Sequence, residues 1–465
     1  MAQPFNVVLV TWHDAGNWFG HTGTPGVHTP GVDRLAREGV RFTRCFSASA
    51  ICSPSRAALM TGRTCQANGV MGLTNTVFDN AIRPGLTHLS RRFKRRGYHT
   101  SLLGVQHECA PEHVPRVIDP DERVATEPWP DSDRLADEVG AWVGWRAAAG
   151  RPFFGQIGLR DAHIGWFLGG RGGPTDLPPP DPVDPRVGAD LPGWLAGSDA
   201  DRVCVDVVRR ELTRGDRVLA SLLDALDRHQ LSEQTLVVMA VDHGVGLSRA
   251  KGTGSEQAFH VAWLMRQPGV IPAGRAIDSL STHVDLTPTI AGLLRWDIED
   301  PLDGQDFSQH VRDEHNDPLH EHVFGHMTEA YRSVRSDRYR LTRNFRPPRT
   351  PVGRPGDCGE RHHAFDNPFA RVDLKTIEPT DEFPLLELYD VGADPDQLRN
   401  LADDPAHARD RDRLDRVLWR ELQRQDDFVL YETPATPWQR ATRAQLDTLR
   451  QDTSPNRRPS DGGTR

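Results

Sequence analysis

The chain is short of cysteine, of long apolar runs and of unmixed positive charge, and each shortage argues against a class of function. Six cysteines occur in 465 residues, Cys45, Cys52, Cys65, Cys109, Cys204 and Cys358, and none stands in C-x-x-C spacing. That scatter argues against a zinc knuckle and a secreted disulfide framework, and leaves plain buried thiols as the expectation. The N-terminus, MAQPFNVVLVTWHD, has no basic region and only the short apolar run NVVLV. It fits neither a secretory signal nor a membrane span, so a cytoplasmic protein without a membrane partner is expected. No block of Lys and Arg without interleaved acids is of the kind that tracks a phosphate backbone, and 56 basic against 65 acidic residues give a formal charge of −9. Nucleic acid is therefore not an expected partner.

What is present is a soluble, core-forming chain, 37% hydrophobic and 26% charged, longer than one hydrophobic core usually serves. Strand-like runs, NVVLV, YHTSLLGV, RPFFGQIGL and QTLVVMAVD, alternate with helical stretches such as Arg134 to Ala148 and Ala200 to Arg228. That alternation predicts an α/β fold with a large, mostly parallel sheet flanked by helices. A helix is expected in TPGVDRLAREGVRF and another from Arg56 to Thr61, just past Pro54. The runs HVFGHM and SDRYRLTRN, with the amphipathic ARDRDRLDRVLWRELQRQ, predict a smaller C-terminal α+β domain. The expected division is a catalytic unit over 1–320, the smaller domain with an antiparallel sheet and packing helix over 321–440, and a polar tail over 441–465. Gly- and Pro-rich stretches at Leu168 to Gly193 and Arg346 to Gly359 read as loops, and the end from Pro455 as disordered.

Polar residues gather where these strands end. His13 and Asp14 follow the first strand, His107 ends LLGVQH, His163 follows IGLRDAH, Asp242 and His243 follow LVVMAV, and Cys52 and Arg56 sit at a helix start. Taken singly, each has a plain structural explanation as a cap, a turn residue or a packed thiol. Together they occupy the carboxyl edge of an α/β sheet, where sites on such folds are built.

In ICSPSRAALMTGR, Cys52, Pro54 and Arg56 followed by Thr61, Gly62 and Arg63 form Cys-x-Pro-x-Arg with a following Thr-Gly-Arg. The sequence here resembles the type I sulfatases of the alkaline-phosphatase-like superfamily. Further segments share the likeness: TPGVDRLAREGVRF, GVQH, VDHGVGLSRAKGT, HVDLTPTI and LYDVGADPDQLRNLADDP. Within that family it looks most like the N-sulfoglucosamine sulfohydrolases and their bacterial relatives. The resemblance implies that Cys52 is oxidised to formylglycine by a formylglycine-generating enzyme, and that the hydrated aldehyde attacks a sulfate ester or N-sulfo group, on a sugar. It implies that Arg56 and a divalent metal supply positive charge, that His107 removes a proton from the diol and that His163 protonates the leaving group. It places Lys251 of RAKGT against the sulfate. Both histidine roles suit imidazole, and the cations suit a sulfuryl group in transfer.

For the metal the resemblance implies Asp14, Asp242 and His243, with His13 where relatives carry a second aspartate. A carboxylate-rich shell favours Ca²⁺; if His13 ligates, Mn²⁺ or Zn²⁺ competes, and if it points away, calcium with added water remains. Val105 stands where many relatives carry a lysine two residues before the histidine, leaving Gln106 or the metal to cover its role. Two other functions stay open at this stage, a phosphoesterase or phosphonate hydrolase of the same superfamily and a catalytically silent binding relative. Specificity is expected from the loop starting at Leu168 and from His326 to Arg335.

Overall fold

The structure is a computed structural model that describes residues 5–74, 81–126, 131–163, 191–195, 197, 199–247, 249–313, 315, 317–345 and 384–431. The main sheet is built on β1 (Asn6–Trp12), whose seven residues are all buried. It pairs in parallel with β5 (Phe153–Leu159) on one side and β6 (Thr235–Val241) on the other, each fully buried too. Such unbroken apolar strands are what a sheet covered on both faces requires. Outward from β5 lie β3 (His99–Gly104) and β4 (Glu122–Val124), also parallel. Beyond β6 come β7 (His260–Arg266), antiparallel, then β2 (Val40–Phe46), which pairs with β8 (Arg275–Ile277) and β9 (Ser281–Thr282). The chain leaves β1 for β2 on one side and returns to β3 on the other. That reversal opens a crevice at the carboxyl end of β1.

The longer helices are α1 (Pro30–Glu38), α2 (Cys52–Thr61), α3 (Leu89–Arg95), α4 (Ser132–Ala149), α5 (Asp199–Arg228), α6 (Leu286–Leu294) and α7 (Ala408–Arg424). The expected start of α2 just past Pro54 is corrected: the helix begins at Cys52 and holds Pro54 in its first turn. A proline is tolerated there because first-turn N–H groups have no partner within the helix. It ends on Gly62 at φ +68°, a left-handed cap suited to glycine.

A second, antiparallel sheet runs β10 (Val323–Met327), β11 (Tyr331–Arg335), β12 (Tyr339–Asn344) and β13 (Leu386–Asp390). Leu414, Leu418 and Leu422 of α7 pack on its Val334, Leu341 and Leu388. β10 also reaches the main unit: the N–H of Ala50 donates to the carbonyl of His326, and the N–H of His326 to that of Ala48, each at 3.2 Å. Ile51, Phe259, Val323 and Tyr331 bury an apolar junction there. The second sheet thus braces the segment that enters α2 at Cys52.

The stretch expected to contribute to specificity, His326 to Arg335, lies at this junction. His326 Nδ1 donates to the Ala48 carbonyl at 3.1 Å, Arg332 is paired with Asp427 at 2.7 Å and Arg335 with Glu256 at 3.0 Å. Arg335 ties the second sheet to the main unit through Glu256, and Arg332 ties it to the turn after α7 through Asp427, while His326 and Arg332 also line a small cavity with Ala48, Gln66 and Leu422. The thiols are as expected at Cys45, Cys52, Cys65 and Cys109, free and buried, whereas Cys204 is disulfide-bonded. The loop from Leu168 lies outside the described residues up to 190, as do the Arg346 to Gly359 stretch, the 441–465 tail and Cys358. Among the described residues no helix is long and apolar enough to cross a membrane.

Candidate active site

Residues from five segments meet at the carboxyl ends of β1, β3, β5 and β6. His13 and Asp14 leave β1, Asp14 with φ +52°, a left-handed conformation that aspartate tolerates better than most residues. Asp242 and His243 leave β6. The Asp242 carboxylate ties the two turns together: its Oδ1 accepts from the N–H of Asp14 at 3.0 Å and of His243 at 2.8 Å. Gly244 follows closely because a Cβ there would collide with the carbonyl of Gln257. At the end of β5, Ala162 takes φ +80° and turns the chain into His163. A non-glycine residue held there is a local strain of the kind that marks functional turns.

The inward-facing groups are close and dry. His13 Nδ1 is 2.9 Å from Asp242 Oδ2, and Arg56 Nε is 3.1 Å from the same oxygen. Cys52 Sγ is 3.2 Å from His243 Nε2, which is 3.3 Å from Asp14 Oδ1. Lys251 Nζ binds both oxygens of Asp14, at 3.0 and 2.8 Å, and donates to His163 Nε2 at 3.3 Å. The His13 ring lies 5.8 Å, centroid to centroid, from both His107 and His163. All nine residues singled out in the sequence therefore belong to one site.

The donor set fits a divalent metal. His243 donates its Nδ1–H to the Gly244 carbonyl at 3.0 Å, which fixes the tautomer and turns the Nε2 lone pair toward two carboxylates and a sulfur. Nε2 accepts from the Cys52 thiol, and its approach to the Asp14 and Asp242 carboxylates sets a nitrogen lone pair beside carboxylate oxygens, a donor set a cation would join. One ligand atom from each of His13, Asp14, Cys52 and Asp242 lies within 4.8 Å of the others.

A family model described as Sulfatase matches residues 5–296. The chain belongs to the sulfatase family. It is a sulfuric ester hydrolase on the alkaline-phosphatase-like fold, with a nine-stranded mixed sheet and a separate four-stranded one. An ulvan-active sulfatase of Formosa agariphila is 26% identical over 427 residues, covering 88% of this chain and 78% of that one. A solved structure in complex with its substrate D-glucosamine-2-N,6-O-disulfate shares the fold at TM-score 0.67 and 15% identity, over 93% of this chain and 99% of that one. The phosphonate monoester hydrolase of Agrobacterium radiobacter shares it at TM-score 0.65 and 17% identity, over 90% and 96%.

Electrostatics in this sulfatase site are set by burial. It pushes the Cys52 thiol up to about 12 and holds His163 down at about 3, His13 at about 4 and His107 well below the ordinary imidazole value. Burial also opposes ionisation of Asp242, but His243, His13 and Arg56 outweigh it and hold that carboxyl well below its usual range.

The two departures from the family pattern resolve in geometry. His13 faces the site. Val105 is buried and its N–H donates to Gly158, which must be glycine because a Cβ would meet the Val105 carbonyl. Gln106 turns away, its amide bonding Cys109 O at 3.0 Å and its carbonyl accepting from the N–H of Glu108 at 3.1 Å. It does not cover for a lysine. The sequence reading missed Glu108, which is fully buried, accepts from Gln156 Nε2 at 3.1 Å and lies 3.9 Å from Arg56 Nη1. Its adjacency to His107 was the available signal. Ser55 was also missed. Its hydroxyl reaches the Asp242 carbonyl and His283 Nδ1, so the motif's middle serine anchors α2 to the β6 turn.

Proposed function

We propose that this sulfatase removes sulfate from a sulfated saccharide, using a formylglycine made from Cys52 by a formylglycine-generating enzyme. The observation that carries the reading is Cys52 at the first position of α2, 3.2 Å from His243, among the groups that would hold a metal. The printed names of the relatives, an ulvan-active sulfatase and a protein bound to a sulfated glucosamine, support a sugar substrate.

His13, Asp14, Asp242 and His243 would hold the metal, with Ca²⁺ the first expectation and Mn²⁺ or Zn²⁺ its competitors. When bound, such an ion polarises sulfuryl oxygens and favours ionisation of a nearby hydroxyl. Arg56 neutralises Asp242 and fixes it through Nε, while its Nη1 donates to Thr11 Oγ1 at 3.0 Å. Lys251 places an ammonium beside Asp14 and His163, where it meets the sulfate. His107 accepts the diol proton: burial keeps it neutral, the state a base needs. His163 delivers a proton to the leaving oxygen, and an anionic ester bound beside it offsets the burial that otherwise strips that proton away.

The thiols Cys45, Cys52, Cys65 and Cys109 are free, which suits the proposed cytoplasmic location; the disulfide at Cys204 is the observation against it. Matched sulfate and phosphate esters of one sugar and one phenol test the activity. Sulfate release from the sugar ester is expected, and faster hydrolysis of the phosphate esters would move the assignment to the phosphoesterase side of the superfamily.

A further inference from the structure

We propose that Glu108 is a positioning residue of this sulfatase, whose buried carboxylate holds the backbone of the proposed base His107 in place for the release of sulfate. The inference rests on the proposed function for the role of His107, and goes beyond it in giving a part in the reaction to a residue that no motif marks.

His107 stands on a short turn after β3, and its backbone is held from both sides. Its N–H donates to Glu108 Oε2 at 3.0 Å, and its carbonyl accepts from Thr74 Oγ1 at 3.4 Å. The other Glu108 oxygen, Oε1, accepts from Gln156 Nε2 of β5 at 3.1 Å and lies 3.9 Å from Arg56 Nη1 of α2. Gln106 closes the same turn, its Oε1 accepting from the N–H groups of Glu108 and Cys109 at 3.1 and 3.3 Å. One carboxylate therefore joins the backbone of the base to the neighbouring strand and to the arginine of the Cys-x-Pro-x-Arg motif, which is itself bonded to Asp242 at 3.1 Å.

Filling this space does not require a carboxyl. Glu108, Gln156 and Arg56 are all 0% exposed, and an apolar side chain would occupy such a place without the desolvation cost that a carboxylate carries. Burial pushes the Glu108 carboxyl up from its usual value, and Arg56 is first among the groups that oppose the shift. What the carboxylate supplies is two acceptor oxygens, one for the N–H of His107 and one for the Gln156 amide, each in a charge-assisted bond. A bond of that kind on the backbone fixes where the imidazole stands, and a misplacement of about 1 Å can cost a reacting group about 100-fold in rate. In the proposed function His107 acts once the alcohol has left. Its displacement therefore slows the release of sulfate and spares the first half of the reaction.

The test uses the full chain in its natural, Glu108→Gln and Glu108→Leu forms, with circular dichroism and melting curves to establish that each is folded. On an activated aryl sulfate, whose phenol leaves readily, mature Glu108→Leu should show kcat lower by about 10- to 100-fold, kcat/KM held within about 3-fold, and a burst of phenol before the steady state. Glu108→Gln keeps an acceptor for the His107 N–H without the charge, and should show the same split at about 3- to 10-fold. If Glu108→Leu does not fold, Glu108→Gln decides. A merely structural role lowers the folded fraction and so moves kcat and kcat/KM by one common factor, without a burst. A readout apart from activity comes from ¹⁵N-histidine-labelled chains that keep Cys52 as a thiol. Exchange of the His107 amide, assigned by its loss in His107→Gln, should be at least about 10-fold faster in Glu108→Leu, the scale of losing a hydrogen bond to a charged group. Equal losses in kcat and kcat/KM, unchanged kinetics, or an unchanged His107 amide overturn the proposal. A natural chain that releases no sulfate from any ester overturns the proposed function and this role with it, an outcome distinct from an active chain whose variants show no split.

Discussion

His13 Nδ1 and Arg56 Nε converge on the same oxygen of Asp242, at 2.9 and 3.1 Å. One carboxylate thus links the residue that departs from the family pattern to the arginine of its most specific motif. A histidine kept neutral by burial and by Arg56 removes one negative charge from the metal shell relative to an aspartate. His13→Asp should therefore raise Ca²⁺ affinity by at least about 10-fold while weakening zinc binding, by analogy with changes around other metal ligands. Calorimetric titration of the stripped protein with each ion checks this; unchanged affinities would mean that His13 is not a ligand.

Removing Lys251 tests the sulfate contact. Lys251→Ala should lower kcat/KM for a sulfated sugar by about 10²- to 10³-fold, the usual effect of losing one oxyanion donor. Metal content should hold or rise, because Asp14 is released from the ammonium that binds both its oxygens. Steady-state kinetics with elemental analysis reads both.

The proposed acid is separable from the proposed base by leaving group. His163→Ala should slow sugar sulfates, whose alkoxide leaves poorly, by about 10²- to 10⁴-fold, and activated aryl sulfates far less. His107→Ala should slow both alike. Equal losses in His163→Ala would remove it from the role of leaving-group acid.

Glu256 joins the two sheets by bridging Arg335 at 3.0 Å and Arg340 at 2.7 Å in a buried setting. Glu256→Gln leaves two buried guanidinium groups without their counter-charge and should cost about 3 to 5 kcal/mol in urea unfolding at neutral pH. Burial opposes ionisation of Glu256, but Arg340 and Arg335 outweigh it and depress its carboxyl. The folded value thus lies below the unfolded one, so this contribution is complete above the unfolded value and is lost as pH falls through the folded one. The variant should accordingly show a weaker acid dependence of stability than the natural chain.

Much of this was legible in the sequence because it is carried by local pattern. The apolar β1, β5 and β6 declare a covered sheet, and the residues just after each strand must lie at one edge of it. Cys52 and Arg56 were legible because a motif fixes their spacing. Glu108 and Ser55 were not, since their roles come from segments distant in the sequence, Gln156, 48 residues away, in one case and Asp242 and His283, 187 and 228 residues away, in the other. The ion pairs of Arg332 and Arg335 were hidden for the same reason. Their partners, Asp427 and Glu256, lie 95 and 79 residues away and carry no local signal of the pairing.

The central claim is that Cys52 is the nucleophile's precursor, and mass spectrometry of its peptide in catalytically active protein tests that claim most directly. The prediction is that the peptide carries the aldehyde in proportion to the sulfatase activity, and that Cys52→Ala folds but does not turn over. Full activity with Cys52 still a thiol, or undiminished turnover by Cys52→Ala, would contradict it.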